Sequence, residues 1–335
     1  MRLISGVEPV PAMLRGAVIA IGNFDGVHRG HQQLLAEARR AAEARGVPWG
    51  VVTFEPHPRS FFKPAVPVFR LTPADLKARI IAALGASFMV VLAFDRTLAD
   101  LEPDDFIRTH LVQRLAVSHV VMGYDFHFGR GRRGSPATMA QAGASLGFGT
   151  TIVDQVSDEG DAHSPFSSSA IRQALHHGKL RDAALDLGYN WIVMGDVVKG
   201  DQRGRTIGFP TLNIILSPGA DPFRGIYAVR VRDAHLKGAI AWPGAGYFGD
   251  RPTFDTGRTF LEVYLIGFSG DLYGRTMLVE MVDLIRPDRR FDSLAALTAQ
   301  MRDDCDEALR RLDDREAEAP LTEFPLFRRQ QNGEL

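Results

Sequence analysis

Two histidines, His28 and His31, stand three positions apart in the stretch GNFDGVHRGH, where an apolar run gives way to a helical pattern. Glycines at 22, 26 and 30 let the backbone turn sharply and approach a ligand closely. The start of a helix attracts phosphate, and imidazole donors on one side of its first turn can stabilise a phosphoryl displacement. Either histidine alone is explained by a glycine-rich surface turn, but the strand, turn and helix together favour a phosphate site. With no activated nucleophile in the stretch, direct transfer to a bound acceptor is favoured.

A second candidate lies in SSSAIRQAL, at the start of a later helical pattern. Ser168 and Ser169 can cap free N–H groups, and Arg172 falls within the first turn, so this segment could form a second phosphate-binding helix start. An ordinary serine cap beside a solvated arginine explains these residues equally well.

Two further segments carry weaker signals. GRGRRG, over residues 129–134, has the glycine spacing of a dinucleotide-binding loop, but it does not open a helix directly after a strand. Arg130 and Arg132 therefore predict a mobile basic loop near a ligand phosphate, with a merely solvated loop as the alternative. His57, between two prolines in TFEPHP, is assigned no catalytic role because a rigid turn explains it nearly as well.

In the second half, Thr211 and Asn213 lie two positions apart on an extended pattern, so their side chains point the same way. Their hydroxyl and amide oxygens suit a Mg²⁺ ion that shares nucleotide phosphates. By themselves these residues favour a plain polar strand end. In FLEVYLIGF, Glu262 lies on the opposite strand face from Leu261 and Val263. It could act as a general base, or it could be an ordinary solvent-facing glutamate.

The elements that position these residues change character along the chain. The first half alternates apolar runs such as WGVVTF with helical patterns such as EPDDFIRTHLVQRL, which predicts a parallel sheet with crossover helices. From about Tyr189, alternating runs such as GIYAVRVRDA predict a compact antiparallel β-barrel, closed by a helix over FDSLAALTAQMRDDCDEALRRL. We therefore predict an α/β domain over residues 1–187, a β-barrel domain over 188–313 and a tail over 314–335.

The composition excludes several classes of protein. The 335 residues are 45% hydrophobic and 24% charged with a net charge of −1, so no global field recruits nucleic acid or anionic lipid. A single cysteine, Cys305, excludes an intramolecular disulfide framework and a cysteine-rich zinc site. No signal peptide is recognised, and no apolar stretch approaches the roughly 18 residues of a membrane span. These features predict a cytoplasmic protein without nucleic-acid or membrane partners. In its tail, Phe324 and Phe327 are candidates for docking back on the fold.

Several segments resemble one known family. GNFDGVHRGH is similar to the signature of the nucleotidyltransferase superfamily, and with TFEPHP, GYDFHFGRGRRG and SSSAIRQAL it resembles the adenylyltransferase half of bacterial bifunctional riboflavin kinase/FAD synthetases. In the second half, GDVVKGDQRGRTIGFPTLNI, GYFGDRPTF and GDLYGRTM resemble the riboflavin kinase half. The resemblance spans nearly the whole chain. It implies a Rossmann-like nucleotidyltransferase domain followed by a kinase barrel.

The resemblance also implies roles for individual residues. His28 and His31 would stabilise ATP phosphates, and Glu262 would take the proton from the ribityl 5′-hydroxyl of riboflavin. The other implied contacts are Gly22, Asn23, Phe24, Asp25, Gly26, Ser168, Ser169 and Arg172 for ATP in adenylyl transfer; Asp125, Phe126, Arg130 and Arg132 for flavin or phosphate; Gly204, Arg205, Gly208 and Pro210 for ATP in the kinase; and Thr211 and Asn213 for Mg²⁺.

The expected activity is therefore phosphorylation of riboflavin by ATP to give FMN, followed by adenylylation of FMN by ATP to give FAD and pyrophosphate. Mg²⁺ is the expected cofactor, and a monomer or weak homo-oligomer is the expected assembly. One departure stands out, because the family often has threonine and then arginine where this chain has Ser169 and Ala170. Two rival hypotheses remain: a nucleotidyltransferase of other specificity with a regulatory barrel, and a flavin-binding protein without catalysis.

Overall fold

The computed structural model describes residues 1–6, 8–155, 166–200, 208–216, 219–249, 260–317 and 324–334. The chain divides into two compact units. The first is formed by residues 1–68 and 74–166, and the second by residues 69–73 and 167–335. Each unit is described by itself below. Within the described ranges, no helix is both long and apolar enough to cross a membrane.

The first unit is built on a six-stranded sheet of order β1-β4-β3-β2-β5-β6. All of its neighbouring strands are parallel. The strands are β1 (Arg2–Ser5), β2 (Val18–Ile21), β3 (Trp49–Glu55), β4 (Phe88–Ala93), β5 (His119–Gly123) and β6 (Gly149–Val153). The helices are α1 (Arg29–Glu43), α2 (Pro58–Phe62), α3 (Ala74–Ala83), α4 (Arg96–Ala99), α5 (Pro103–Phe106) and α6 (Pro136–Leu146). The prediction of a parallel sheet with crossover helices is confirmed.

The central strands are buried on both faces, which is why they read as continuous apolar runs. Every residue of β2 is buried. The edge strands β1 and β6 were not among the predicted strands, because each is largely exposed or half-buried and lacks such a run. Their pairing with β4 and β5 depends on the sheet itself rather than on a local pattern.

One predicted helix differs in detail. The pattern EPDDFIRTHLVQRL forms α5 and then continues as a π-helix over Ile107–Arg114. The Arg15 guanidinium donates to the carbonyls of Gln113 and Arg114, both at 3.1 Å, and so satisfies acceptors at the end of this segment.

The second unit contains two short helices, α7 (Ser168–His176) and α8 (Leu180–Leu187), and a closed barrel of order β10-β11-β8-β7-β12-β9. All of its paired strands are antiparallel. The strands are β7 (Ile192–Val198), β8 (Thr211–Ile215), β9 (Gly225–Asp233), β10 (Trp242–Phe248), β11 (Phe260–Leu265) and β12 (Thr276–Pro287). Helices α9 (Leu294–Ala317) and α10 (Pro325–Gln331) follow. The predicted barrel and its closing helix are confirmed.

The tail packs on the barrel, as predicted for its two phenylalanines. Phe324 stacks on Tyr189 with ring centroids 4.3 Å apart. The Arg232 guanidinium lies 4.1 Å from the ring centroid of Phe327. Gln330, which is buried, donates from Nε2 to the Asp233 carbonyl at 2.6 Å. The last helix is therefore part of the folded second unit.

Candidate active sites

The loop between β2 and α1 brings the predicted histidines together. His28 is the N-cap residue of α1, with an extended backbone (φ −65°, ψ 172°). The imidazoles of His28 and His31 stack with centroids 3.7 Å apart and an interplanar angle of 25°. The Phe24 ring contacts His31 edge-on at 5.3 Å. Helical spacing therefore does place both rings on one side of the first turn.

This loop holds an unusual backbone conformation. Phe24 and Val27 have positive φ angles, +48° and +39°, and Gly26 has a φ of +85°. A β-branched residue rarely adopts this region, and such conformations persist only where the surroundings fix them. Phe24 and Val27 are both fully buried, and Gln32 donates from Nε2 to the Val27 carbonyl at 2.8 Å. The chain therefore enters α1 in a strained, firmly held loop.

The surroundings of His31 favour a neutral ring. Burial, followed by the nearby His28 and Lys77, lowers the pKa of His31 well below its ordinary value. The His31 Nδ1 atom is buried and has no hydrogen-bond partner among the described residues. A neutral imidazole can still donate one N–H to a phosphate oxygen, so His31 can act as a hydrogen-bond donor at neutral pH.

The other predicted residues of this loop differ in exposure. Asn23 is exposed, whereas Asp25 is only 1% exposed. A Cβ at Gly22 would lie 3.2 Å from the Phe24 ring, which explains the glycine at that position. The structure thus places Asn23 at the surface of the site and Asp25 inside the loop that forms it.

A lysine that the sequence reasoning missed lies beneath the loop. Lys77, on α3, is 1% exposed and donates from Nζ to the Asn23 carbonyl at 2.9 Å. Its position carried a detectable signal, because Lys77 shares a helical face with Ile80 and Ile81, three and four positions further on. Both isoleucines are fully buried, so a lysine on that face had to be buried as well.

The predicted basic loop follows β5 in the first unit. Arg130 and Arg133 both form ion pairs with Glu102, the latter at 2.6 Å. Arg132 instead lies 3.4 Å from Nδ1 of His127 and is exposed. Of the two predicted arginines, Arg132 is thus the one held away from the Glu102 carboxylate.

A chain of aromatic rings runs from this loop into the core of the first unit. Phe126, a predicted flavin contact, stacks on Phe128 with centroids 5.7 Å apart and a 17° interplanar angle. Phe128 contacts Phe106 at 5.5 Å, and Phe106 contacts Phe54 at 6.4 Å. Asp125, the remaining predicted flavin or phosphate contact of this loop, is exposed. Nothing in the sequence distinguishes Phe54 or Phe106 from ordinary core residues, because isolated phenylalanines are common in protein cores.

In the second unit, α7 begins at the predicted serine motif. The capping hydroxyl is that of Ser167, which accepts from the Ala170 N–H at 3.1 Å and has an extended backbone. Ser168 and Ser169 follow as the first two helical residues. The Arg172 Nε donates to the Phe69 carbonyl at 2.6 Å, so this guanidinium is tied to a neighbouring segment of the same unit.

Across the barrel surface, strand register brings the predicted kinase residues together. Asn213 on β8 lies directly opposite Glu262 on β11, and Tyr247 on β10 lies opposite the same glutamate. Directly opposed residues of antiparallel strands point to the same face about 5 Å apart. Leu261 and Val263 are buried while Glu262 is half-buried, so the predicted alternation of β11 is observed.

This row of side chains contains an unsatisfied acceptor. Asn213 is 4% exposed, and its buried Oδ1 has no hydrogen-bond partner within the described part of the chain. Thr211, two residues earlier on β8, is opposite Tyr264 and is half-buried. A hydroxyl and an orphaned amide oxygen on one strand face fit a hard cation that also binds phosphate.

The glycine-rich segment before β8 is described only in part. A Cβ at Gly200 would lie 2.4 Å from the Asn213 side chain, so only a glycine lets the backbone pass this close to Asn213. Gly208 has a φ of +87°, and Pro210 is exposed. The predicted ATP contacts Gly204 and Arg205 lie outside the described residues.

A family model described as FAD synthetase matches residues 10–169, and one described as riboflavin kinase matches residues 187–312. A curated Escherichia coli K12 protein, named bifunctional riboflavin kinase/FMN adenylyltransferase, is 40% identical over 305 residues, covering 91% of this chain and 96% of that protein. A Bacillus subtilis protein of the same name is 36% identical, covering 88% of this chain and 92% of its own length.

A solved structure from Streptococcus pneumoniae, described as a macrolide-efflux protein, has a TM-score of 0.77 at 29% identity. It covers 91% of this chain and 97% of the other.

The parallel-sheet unit matched by the FAD synthetase model and the antiparallel barrel matched by the riboflavin kinase model define a class of transferases in which two phosphate chemistries are joined in one chain. The chain belongs to the family of bifunctional riboflavin kinases/FMN adenylyltransferases. The expectation that the sequence raised about its family is thus confirmed.

Proposed function

We propose that the two reactions of this family are carried out at two separate sites of this chain. One observation carries the assignment: the stacked His28 and His31 rings belong to the first compact unit, while Asn213 and Glu262 face one another in the second. This placement supports a separate set of catalytic side chains for each reaction. ATP is a substrate of both reactions, riboflavin and FMN are the acceptors, and FMN and FAD are the products.

The first reaction is assigned to the barrel. The 5′-hydroxyl oxygen of riboflavin attacks the γ-phosphorus of ATP, the bond to the bridging oxygen breaks, and ADP leaves. Glu262 accepts the hydroxyl proton, which is a role that its half-buried position opposite Asn213 and Tyr247 permits. Two aromatic rings lie near Thr211: Phe209 precedes it by two residues, and Tyr264 is its partner on β11. The two rings are in edge contact, with centroids 5.0 Å apart.

Thr211 and Asn213 are proposed to hold Mg²⁺ together with the ATP phosphates. The unsatisfied Asn213 Oδ1 is the observation that supports this proposal. The Thr211 hydroxyl and the Asn213 amide oxygen are hard donors of the kind that Mg²⁺ takes. A cation there would neutralise phosphate charge during transfer. Gly204, Arg205, Gly208 and Pro210 are proposed to cover the nucleotide.

The second reaction is assigned to the loop between β2 and α1. A phosphate oxygen of FMN attacks the α-phosphorus of ATP, the bond between the α-phosphorus and its bridging oxygen breaks, and pyrophosphate leaves. His28 and His31 donate hydrogen bonds to the charge that develops on the phosphoryl oxygens. Gly22, Asn23, Phe24, Asp25 and Gly26 are proposed to form the adenylyl pocket, and Ser168, Ser169 and Arg172 to contact phosphate.

The flavin of the second reaction is assigned to the basic loop and the aromatic rings behind it. Phe126 offers a stacking surface, and Arg132 offers a guanidinium that is not paired with Glu102. Asp125 and Arg130 complete the predicted loop. Arg130 would have to leave its ion pair with Glu102 to bind phosphate, and an exposed pair of this kind costs little to break.

The extents of the functional domains, the compartment and the assembly are also proposed. The functional domains are residues 1–187 for adenylyl transfer and 188–313 for the kinase, followed by the tail. Because both reactions consume ATP, the protein is proposed to act in the cytoplasm. We expect a monomer or weak homo-oligomer that binds neither nucleic acid nor membrane, which size-exclusion chromatography and binding assays can test.

A time course tests the proposed function. The purified protein is incubated with riboflavin, ATP and Mg²⁺, and flavins are separated by chromatography. FMN should rise first and FAD should follow. Accumulation of FMN without FAD would overturn the adenylyl assignment, and untouched riboflavin under oxidising and reducing conditions would overturn the kinase assignment.

A further inference from the structure

Lys77 is a fully buried lysine whose ammonium group meets three oxygen atoms. Its Nζ donates to the Asn23 carbonyl at 2.9 Å, to Thr53 Oγ1 at 3.2 Å and to the Glu55 carboxylate at 3.1 Å. Thr53 also donates to the Asn23 carbonyl, at 3.1 Å. Burying a charge is costly unless it is paired and hydrogen-bonded, and here all three donor positions of the ammonium are directed at acceptors.

The location of these contacts connects Lys77 to the histidine loop. Asn23, whose carbonyl accepts from both Lys77 and Thr53, immediately precedes Phe24, the first residue with a positive φ angle. At the other end, Gln32 holds the Val27 carbonyl. Hydrogen bonds therefore hold both ends of the strained segment, from the Lys77 ammonium at Asn23 and from the Gln32 amide at Val27.

The charged and titratable groups around this anchor come from three elements. Glu55 on β3 is 21% exposed and pairs with the 1% exposed Lys77. His31 comes from α1, and His28, its N-cap residue, and the buried Asp25 come from the loop before it. Lys77 contributes, after burial and His28, to the lowered pKa of His31. The Lys77 cation thus acts electrostatically on the His31 ring, which is proposed to contact phosphate.

We propose that Lys77 is a positioning residue for adenylyl transfer, which fixes the strained loop and so sets the placement of the His28 and His31 rings. The proposal rests on the proposed function of this loop. The alternative is a role in stability alone, in which case a folded variant would keep its catalytic rate. A misplacement of about 1 Å at a reacting centre can cost about 10²-fold in rate, so a positioning role has a measurable consequence.

The test uses the full chain and the substitution Lys77→Met, combined with Glu55→Gln so that no unpaired carboxylate remains. Lys179→Met is the matched control, because it makes the same chemical change at an exposed lysine. FAD formation from supplied FMN and ATP is measured for kcat and for both KM values, and FMN formation from riboflavin serves as an internal control in the same molecule. Ring proton signals of His31 are followed by NMR titration.

The expected result is a fall of about 10- to 100-fold in kcat for FAD formation, with little change in KM, while FMN formation and the control variant stay at wild-type rates. The His31 titration midpoint should rise, because a neighbouring cation has been removed. A kcat within threefold of wild type would overturn the proposal. Where the double variant fails to fold in the first unit, Lys77→Gln replaces it, because this change removes the cation that holds the Asn23 carbonyl and keeps a polar group in its place. An unchanged kcat in that folded variant would likewise overturn the proposal.

His31→Ala separates this proposal from the one on which it rests. If His31→Ala retains normal FAD formation, the loop is not the adenylyl site and the assignment of function to it fails. If His31→Ala loses FAD formation while the Lys77 variant retains it, only the role of Lys77 fails.

Discussion

Replacing His31 with alanine gives the sharpest test of the adenylyl site. The ring stacks on His28 at 3.7 Å, and its buried Nδ1 has no partner among the described residues, so the imidazole is not needed to satisfy another group there. The ring also approaches Phe24 edge-on at 5.3 Å, and aromatic contacts of these two kinds are worth about 1 kcal/mol each. His31→Ala should therefore leave the unit folded.

The catalytic effect should be much larger than this loss of stability. Removing one preorganised donor from a site that stabilises developing negative charge costs about 10²–10³-fold in kcat, or about 3–4 kcal/mol. Supplied FMN and ATP are converted to FAD in one assay, and riboflavin is converted to FMN in a second assay with the same preparation. The ratio of the two rates is independent of the concentration of active protein.

We expect the FAD rate to fall about 10²–10³-fold while the FMN rate is unchanged. An FAD rate within threefold of wild type would refute the reasoning, because the stacked pair would then have no part in the transfer. An equal fall in both rates would also refute it, since the two reactions would not use separate side chains.

Three other predictions follow from the structure. Glu262→Gln should lower the rate of riboflavin phosphorylation about 10²–10⁴-fold and spare adenylyl transfer to supplied FMN, and loss of both activities would contradict the two-site assignment. Burial lowers the pKa of His119, so the unfolded chain binds its proton first as the pH falls below about 6.5, and the free energy of unfolding should decrease there. Urea unfolding at pH 7.5 and 5.5 should show a drop about 1 kcal/mol smaller in His119→Gln than in wild type, and an equal drop would count against this cause. Phe327→Ala should destabilise the second unit by about 3 kcal/mol, because it removes a buried ring and uncovers Arg232, and a thermal unfolding midpoint equal to wild type would show that the tail does not support the barrel.

Local patterns were sufficient for much of the fold. The alternation of FLEVYLIGF placed Glu262 on the strand face opposite Leu261 and Val263. In the structure these two residues are buried and Glu262 is half-buried. The change from helical to alternating patterns near Tyr189 likewise anticipated a parallel sheet followed by a barrel. These predictions succeed because side-chain direction repeats every two residues in a strand and about every 3.6 in a helix, which is information that neighbouring residues carry themselves.

Neighbouring residues did not reveal which serine caps α7 or which arginine is left for a ligand. Ser167 caps α7, rather than the two serines after it, because its backbone is the one that remains extended. Arg130 was grouped with Arg132, yet it pairs with Glu102, which precedes it by 28 positions. Whether an arginine already pairs with a carboxylate depends on which residues the fold places beside it.

The sequence by itself determined the family, the strand–turn–helix setting of His28 and His31, and the strand faces of Asn213 and Glu262, since each of these depends on short spacings and on side-chain period. Tertiary structure alone decided that Lys77 lies beneath the histidine loop, 54 positions from the Asn23 carbonyl that it holds. The physical reason is that a lysine in a helix is stable in water or beside buried acceptors. Only the packing of α3 within the first unit, which removes the ammonium from water and supplies the oxygens of Asn23, Thr53 and Glu55, selects the second environment.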